Sequence, residues 1–186
     1  MNNVEYNCVK PLKKPGDPVI IYALPQEAEA VAYACKDAGI NVAAFCDNDT
    51  RKAKKPFCGL EVVHTPDLPK RFPKARFLIA HQNLKDCAEQ IIKLGYSEFY
   101  SPLELLKNYD VNRHTHRVTN SFMETKVAVS MKNHEMFFDK SKTFLRSLDI
   151  VITTKCSMNC ESCANLMQYY SAAKNTDHEI LKALKT

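Results

Sequence analysis

Cys156, Cys160 and Cys163 fall within eight residues, in the stretch TTKCSMNCESCANL, with the spacing C-x3-C-x2-C. Three thiolates on one short segment can converge on a single metal centre, and the spacing bears on which one. A structural zinc site takes four ligands, often from two C-x2-C-like pairs on separate knuckles, and the nearest histidine downstream is His178. A thioredoxin-type redox pair needs only C-x2-C at a strand-to-helix turn, which Cys160 and Cys163 could imitate, and it has no use for Cys156. Iron–sulfur chemistry uses all three: three thiolates hold three irons of a [4Fe–4S] cube and leave the fourth open. Lys155 next to Cys156 reads equally as a counter-charge to such a centre and as an exposed loop lysine.

Other residues carry weaker signals. The remaining thiols, Cys8, Cys35, Cys46, Cys58 and Cys87, are scattered and read as reduced, small apolar residues. Asp47 ends the run NVAAFCD, where a ribose-binding acid would lie in a dinucleotide site, yet the turn ahead of it, ALPQEAEA, has no glycine to let a backbone approach a pyrophosphate. A strand-end turn residue is the plainer reading of Asp47, and no tightly bound dinucleotide is expected. His114 and His116 are spaced i, i+2, which on a helix puts them on different sides. They read as surface histidines.

These residues need elements to position them. PVIIYAL is a short β-branched run, followed by QEAEAVAYACKDAG with apolar residues at helical spacing and a stop at Gly39. NVAAFCDND predicts a second strand, RKAKKPFCGL a loop, EVVHT a third strand and ARFLIAHQ a fourth. NLKDCAEQIIKLG predicts a helix capped by Asn83 and stopped at Gly95, and EFYSPLELL a last short strand and turn. Strands and helices alternating at this period imply parallel βαβ units with both sheet faces covered. The expected fold is therefore α/β, with a tail over 1–16, a Rossmann-like parallel sheet flanked by helices over 17–108, and a helical connection over 109–147. Over 148–186, the β-branched run from Ile150 to Thr154 leads into the cysteines, and a further helix opens near Thr176 or Asp177.

With 186 residues, 45% hydrophobic and 25% charged, the chain has the composition of a globular protein and no apolar run long enough to span a bilayer. Its N-terminus, MNNVEYNCVKPLKKPGDP, lacks the apolar core of a signal peptide, so a cytoplasmic location with reduced thiols is expected. A net charge of +5 dispersed in pieces such as KPLKKP and RKAKKP, without interleaved aromatics, does not imply nucleic acid.

The N-terminal half resembles the small nucleotide-fold domains at the front of some sugar-modifying proteins and some radical enzymes, through its strand, helix, Gly39, AFCDND and CGLEVV. More specifically, VITTKCSMNCESCANLMQYY resembles the cluster-binding loop of the radical S-adenosylmethionine (radical SAM) enzymes: a strand, a Thr-Thr-Lys approach, the cysteine spacing, and Asn159 before the second cysteine. Ser162 stands where many members carry an aromatic residue near the adenine. The resemblance implies that Cys156, Cys160 and Cys163 ligate a [4Fe–4S] cluster whose open iron binds S-adenosylmethionine. An electron donor such as a flavodoxin or ferredoxin would then drive cleavage to a 5′-deoxyadenosyl radical, which acts on a small-molecule, sugar or peptide substrate. Family members use a partial (β/α) barrel of about six strand–helix units, and residues 148–186 would supply its first unit alone, so the expectation is a fragment with little turnover of its own. The alternative is a non-catalytic Rossmann-like binding module whose cysteine loop holds zinc or nothing.

Overall fold

The computed structural model describes residues 8–143, all within one compact unit, residues 1–144. Five strands, β1 (Val19–Tyr22), β2 (Val42–Asp47), β3 (Val62–His64), β4 (Arg76–Ile79) and β5 (Phe99–Tyr100), form one sheet in the order β3-β2-β1-β4-β5. Every neighbouring pair is parallel. Five helices accompany them: α1 (Ala28–Asp37), α2 (Leu68–Arg71), α3 (Leu84–Lys93), α4 (Leu103–Lys107) and α5 (Asn120–Phe138).

The central strands β1, VIIY, and β4, RFLI, are buried at every position, as strands of a parallel sheet covered on both faces must be. Their side chains alternate between two core layers. Ile21, Phe45 and Leu78 pack in the layer that holds Val31 and Cys35 of α1. Ile20, Tyr22, Phe77 and Ile79 pack in the other with Ile91 of α3. The expected α/β fold is thus present, with β1 and β4 sending their helices to opposite faces.

The helix boundaries follow local chemistry. Asn83 accepts the Asp86 amide at 3.4 Å, capping α3 as its sequence predicts. Gly39 and Gly95 take φ of +73° and +91° just past α1 and α3, a left-handed turn that a Cβ would penalise. The run ARFLIAHQ stops being a strand at Ile79, earlier than its hydropathy predicts. The amide of Ala80 still reaches Tyr22 O at 3.0 Å, but the carbonyl of His81 is taken by another element.

That element is α5. Thr119 caps its start by accepting the Phe122 amide at 3.4 Å, and Met123, Val127, Ser130 and His134 line one buried face at helical spacing. Met123 and Val127 join the α1-side core, so the expected connection over 109–147 packs onto the domain ahead of it rather than merely leading away. Before α5 the chain makes a short 3-10 turn, Val111–Arg113, and runs on without helix to Thr119. The expected surface histidines sit there, and the structure corrects them: the His116 side chain is fully buried, and the His114 ring stacks on Tyr33 with centroids 4.3 Å apart. The i, i+2 spacing that separates side chains on a helix lets both rings reach Tyr33 from this non-helical segment.

His134 fastens α5 to the sheet. Its Nε2 lies 3.1 Å from the His81 carbonyl oxygen, which can only accept, so Nε2 carries the proton and Nδ1 accepts from Ser101 Oγ at 2.6 Å. Ser101 Oγ in turn accepts the Leu103 amide at the start of α4. A neutral imidazole satisfies every bond in this chain, with Ser101 Oγ donating to Nδ1 and accepting from the Leu103 amide. Burial pushes the His134 pKa down to about 4. Between pH 6.5 and 4 the unfolded chain therefore takes up a proton that the folded one refuses, and stability falls by about 3 kcal/mol across that window. Urea unfolding of His134→Gln at pH 7 and pH 4.5 should show a flatter pH dependence than the parent; parallel slopes would refute the neutral clasp.

Candidate functional site

The two ends of the sheet differ. At the amino ends, Arg76 is buried at the start of β4 and donates to the carbonyls of Asp17, Pro11 and Lys14 at 2.7, 2.8 and 3.2 Å, drawing the N-terminal arm across. At the carboxyl ends, the chain leaves β1 and β4 towards opposite faces and opens a cleft of about 390 Å³ between the two loops. Open α/β sheets bind their ligands in this crevice.

Asp47 at the end of β2 shapes one wall. Its carboxylate accepts the Leu24 amide at 2.8 Å, the Asp49 amide at 2.9 Å and the Lys52 ammonium at 2.9 Å. Burial alone would raise this carboxyl, but the bonds from Asp49, Lys52 and Leu24 outweigh it and hold the pKa below the ordinary carboxylate value. Asp47 is therefore a tie between the loop after β1 and the loop after β2, in line with its reading as a turn residue. Lys52 also donates to Leu24 O at 3.0 Å. The turn after β1 does adopt a left-handed residue, but it is Ala23, φ 70°, and not a glycine. A methyl group thus stands where close phosphate approach would need none.

The opposite wall and floor hold residues that the sequence reading passed over. His81 Nδ1 accepts the Asn83 amide at 3.1 Å, so its proton sits on Nε2; burial lowers its pKa and keeps the ring neutral. The Tyr22 hydroxyl donates to Gln90 Oε1, and Asn48 Nδ2 donates to the same oxygen at 3.0 Å. Burial pushes the Tyr22 phenol well up, so it remains a protonated donor. The signal that could have found His81 was the polar pair following the apolar RFLIA. Gln90 lies on the exposed face of α3, where nothing in its spacing sets it apart.

Cys156, Cys160 and Cys163, with Lys155, the strand expected ahead of them, and the barrel unit expected over 148–186, lie outside the described residues. Among the described residues no group of three or more His, Cys, Asp or Glu is arranged to hold a metal ion. The described thiols are poor ligands: Cys35, Cys46 and Cys87 are buried, and burial raises Cys35 and Cys87 to about 12 and Cys46 well up. Cys58, also a free thiol, is exposed in a left-handed turn. His116 donates from Nε2 to Val111 O at 3.2 Å, with the Tyr109 hydroxyl 3.1 Å from the same nitrogen, and its buried Nδ1 faces Glu29 at 3.9 Å without a hydrogen bond.

Removing the Asp47 carboxylate frees three donors at once. Asp47→Ala should cost about 2–4 kcal/mol in urea unfolding at neutral pH, and Asp47→Asn, which keeps one acceptor, clearly less; a loss under about 1 kcal/mol in the alanine variant would show that this tie does not hold the cleft wall. No family model, no curated protein and no solved structure matches the chain.

Proposed function

We propose that this chain is a radical SAM protein in which Cys156, Cys160 and Cys163 hold a [4Fe–4S] cluster and an α/β domain stands ahead of the cluster loop. The observation that carries the reading is the C-x3-C-x2-C spacing behind a β-branched run. The donor set suits the group: three thiolates match three irons and leave one iron for a ligand that is not protein. The described domain offers no competing metal site, since its buried thiols are held protonated. When bound, the cluster supplies the electron for reductive cleavage of S-adenosylmethionine. The cysteines would fix the cluster, and Lys155 would offset part of its negative charge. The finer fold assignment for residues 148–186, the first strand–helix unit of a partial barrel, belongs to this same proposal. So do a flavodoxin- or ferredoxin-like electron donor, a small-molecule, sugar or peptide substrate, and a cytoplasmic location; no helix among the described residues is long and apolar enough to cross a membrane.

One observation favours a second reading, a binding module with zinc or no metal at the loop. The cleft beside Asp47 is built from partnered polar groups and needs no cluster to be complete.

Metal content separates the two. Anaerobic reconstitution with iron and sulfide should give a coloured protein with about four irons per chain, and Cys156→Ala, Cys160→Ala and Cys163→Ala should each abolish it. Colourless protein holding zinc alone would overturn the first reading. Formation of 5′-deoxyadenosine from S-adenosylmethionine under a strong one-electron reductant then tests the activity separately from the cluster.

A further inference from the structure

The cleft at the carboxyl ends of β1 and β4 offers a ligand a particular set of groups. His81 presents Nε2–H, because its other nitrogen is committed to the Asn83 amide. Gln90 presents its two amide protons, because its oxygen already accepts from both Tyr22 and Asn48. Both donors are uncharged. The charged groups in the lining are Asp47, Asp86 and Lys52, one negative charge in excess.

A phosphate finds no seat there. Two ten-residue helices start beside the cleft, and each has a first-turn amide already bonded within the protein. Ahead of α1 the Leu24 amide goes to Asp47, and at its start the Ala28 amide goes to Pro25 O, with Glu29 in the first turn. At α3, the Asp86 amide goes to Asn83, and the Asp86 carboxylate sits in the first turn, accepting from Asn83 Nδ2 at 2.5 Å. The Lys52 ammonium is already neutralised by Asp47. Helix starts attract anions through free N–H groups and the dipole, and here the Ala28 and Asp86 amides are bonded to Pro25 O and Asn83 Oδ1 while Asp86 already places a negative charge in the first turn of α3.

We infer that this cleft binds an uncharged hydroxylated ring, a monosaccharide or a nucleoside, and discriminates against the phosphorylated form of the same molecule. Hydroxyl and carbonyl oxygens match the neutral donors of His81 and Gln90, and hydroxyl protons match the remaining acceptor capacity of Asp86. At about 390 Å³ the cleft lies near the lower end of small-molecule sites, which suits one or two rings. The inference stands on the cleft alone and holds whether or not the cysteines bind iron.

The test is calorimetric titration of the full chain with N-acetylglucosamine, adenosine and uridine, beside N-acetylglucosamine 1-phosphate, AMP and UMP. At least one uncharged probe should bind with a millimolar or lower Kd, and its phosphorylated partner roughly tenfold or more weakly; which arm responds separates a sugar from a nucleoside. His81→Ala and Gln90→Ala should each weaken that binding roughly five- to tenfold. His81→Ala keeps the backbone carbonyl that holds His134, and thermal unfolding checks that both variants are folded. Asp86→Asn should narrow the gap between the uncharged and phosphorylated probes. The inference is overturned by phosphorylated probes binding as tightly as their parents, by no uncharged probe binding up to about 10 mM, or by folded His81→Ala and Gln90→Ala variants that bind like the parent. Because Cys156→Ala should bind the probe unchanged, failure here is separable from failure of the cluster reading.

Discussion

The Asp47 carboxylate is the contact on which the carboxyl end of the sheet depends. A parallel sheet ends in loops, and each loop brings backbone amides that strand pairing no longer satisfies. One buried acid at the end of β2 meets donors from the loop after β1, from its own turn and from the Lys52 side chain. Because the three donors converge, the cleft wall is set by electrostatics rather than by close packing. The arrangement also explains how the loop after β1 can do without glycine. Ala23 accepts a left-handed φ costing about 1 kcal/mol, and its own amide is held by Cys46 O at 2.9 Å while the next amide is held by Asp47.

The remaining fastenings leave this end open. Arg76 closes the amino end with three carbonyl contacts, adding its charge to an arm whose Val9 and Leu12 are also buried in the core. On the far side, His134 ties α5 to the backbone of His81 and, through Ser101, to α4. The His81 carbonyl faces α5 while its ring lines the cleft, so one residue joins α5 with the floor of the site. That juxtaposition fixes the ring without using its Nε2 proton.

Much of the fold was legible because it is local. Apolar runs of four residues bounded by turns, Asn83 before an amphipathic helix, and glycines after α1 and α3 each carry their own physics. The end of β4 was not legible, since it depends on a histidine 53 positions away. Nor were His114 and His116. A helical period was assumed for a segment that is not helical, and their burial comes from Tyr33 on α1 and from Tyr109, which no spacing rule connects to them. Asp47 was legible as a turn residue but not as a hub, because Leu24 and Lys52 reach it only through the sheet.

The same limits bear on the cysteines. Thiols become ligands when something lowers their pKa, and burial in an apolar layer does the reverse. Cys35, Cys46 and Cys87 carry raised values for that reason. Eight cysteines in one chain therefore do not form one pool. At least three are packing residues whose chemistry the core suppresses, and spacing is what marks Cys156, Cys160 and Cys163 as different. A cluster loop works by convergence within a few residues, so its signal survives in sequence alone. A ligand cleft works by convergence across strands, so its signal appears only when β1, β2 and β4 bring Tyr22, Asp47 and His81 to one end of the sheet.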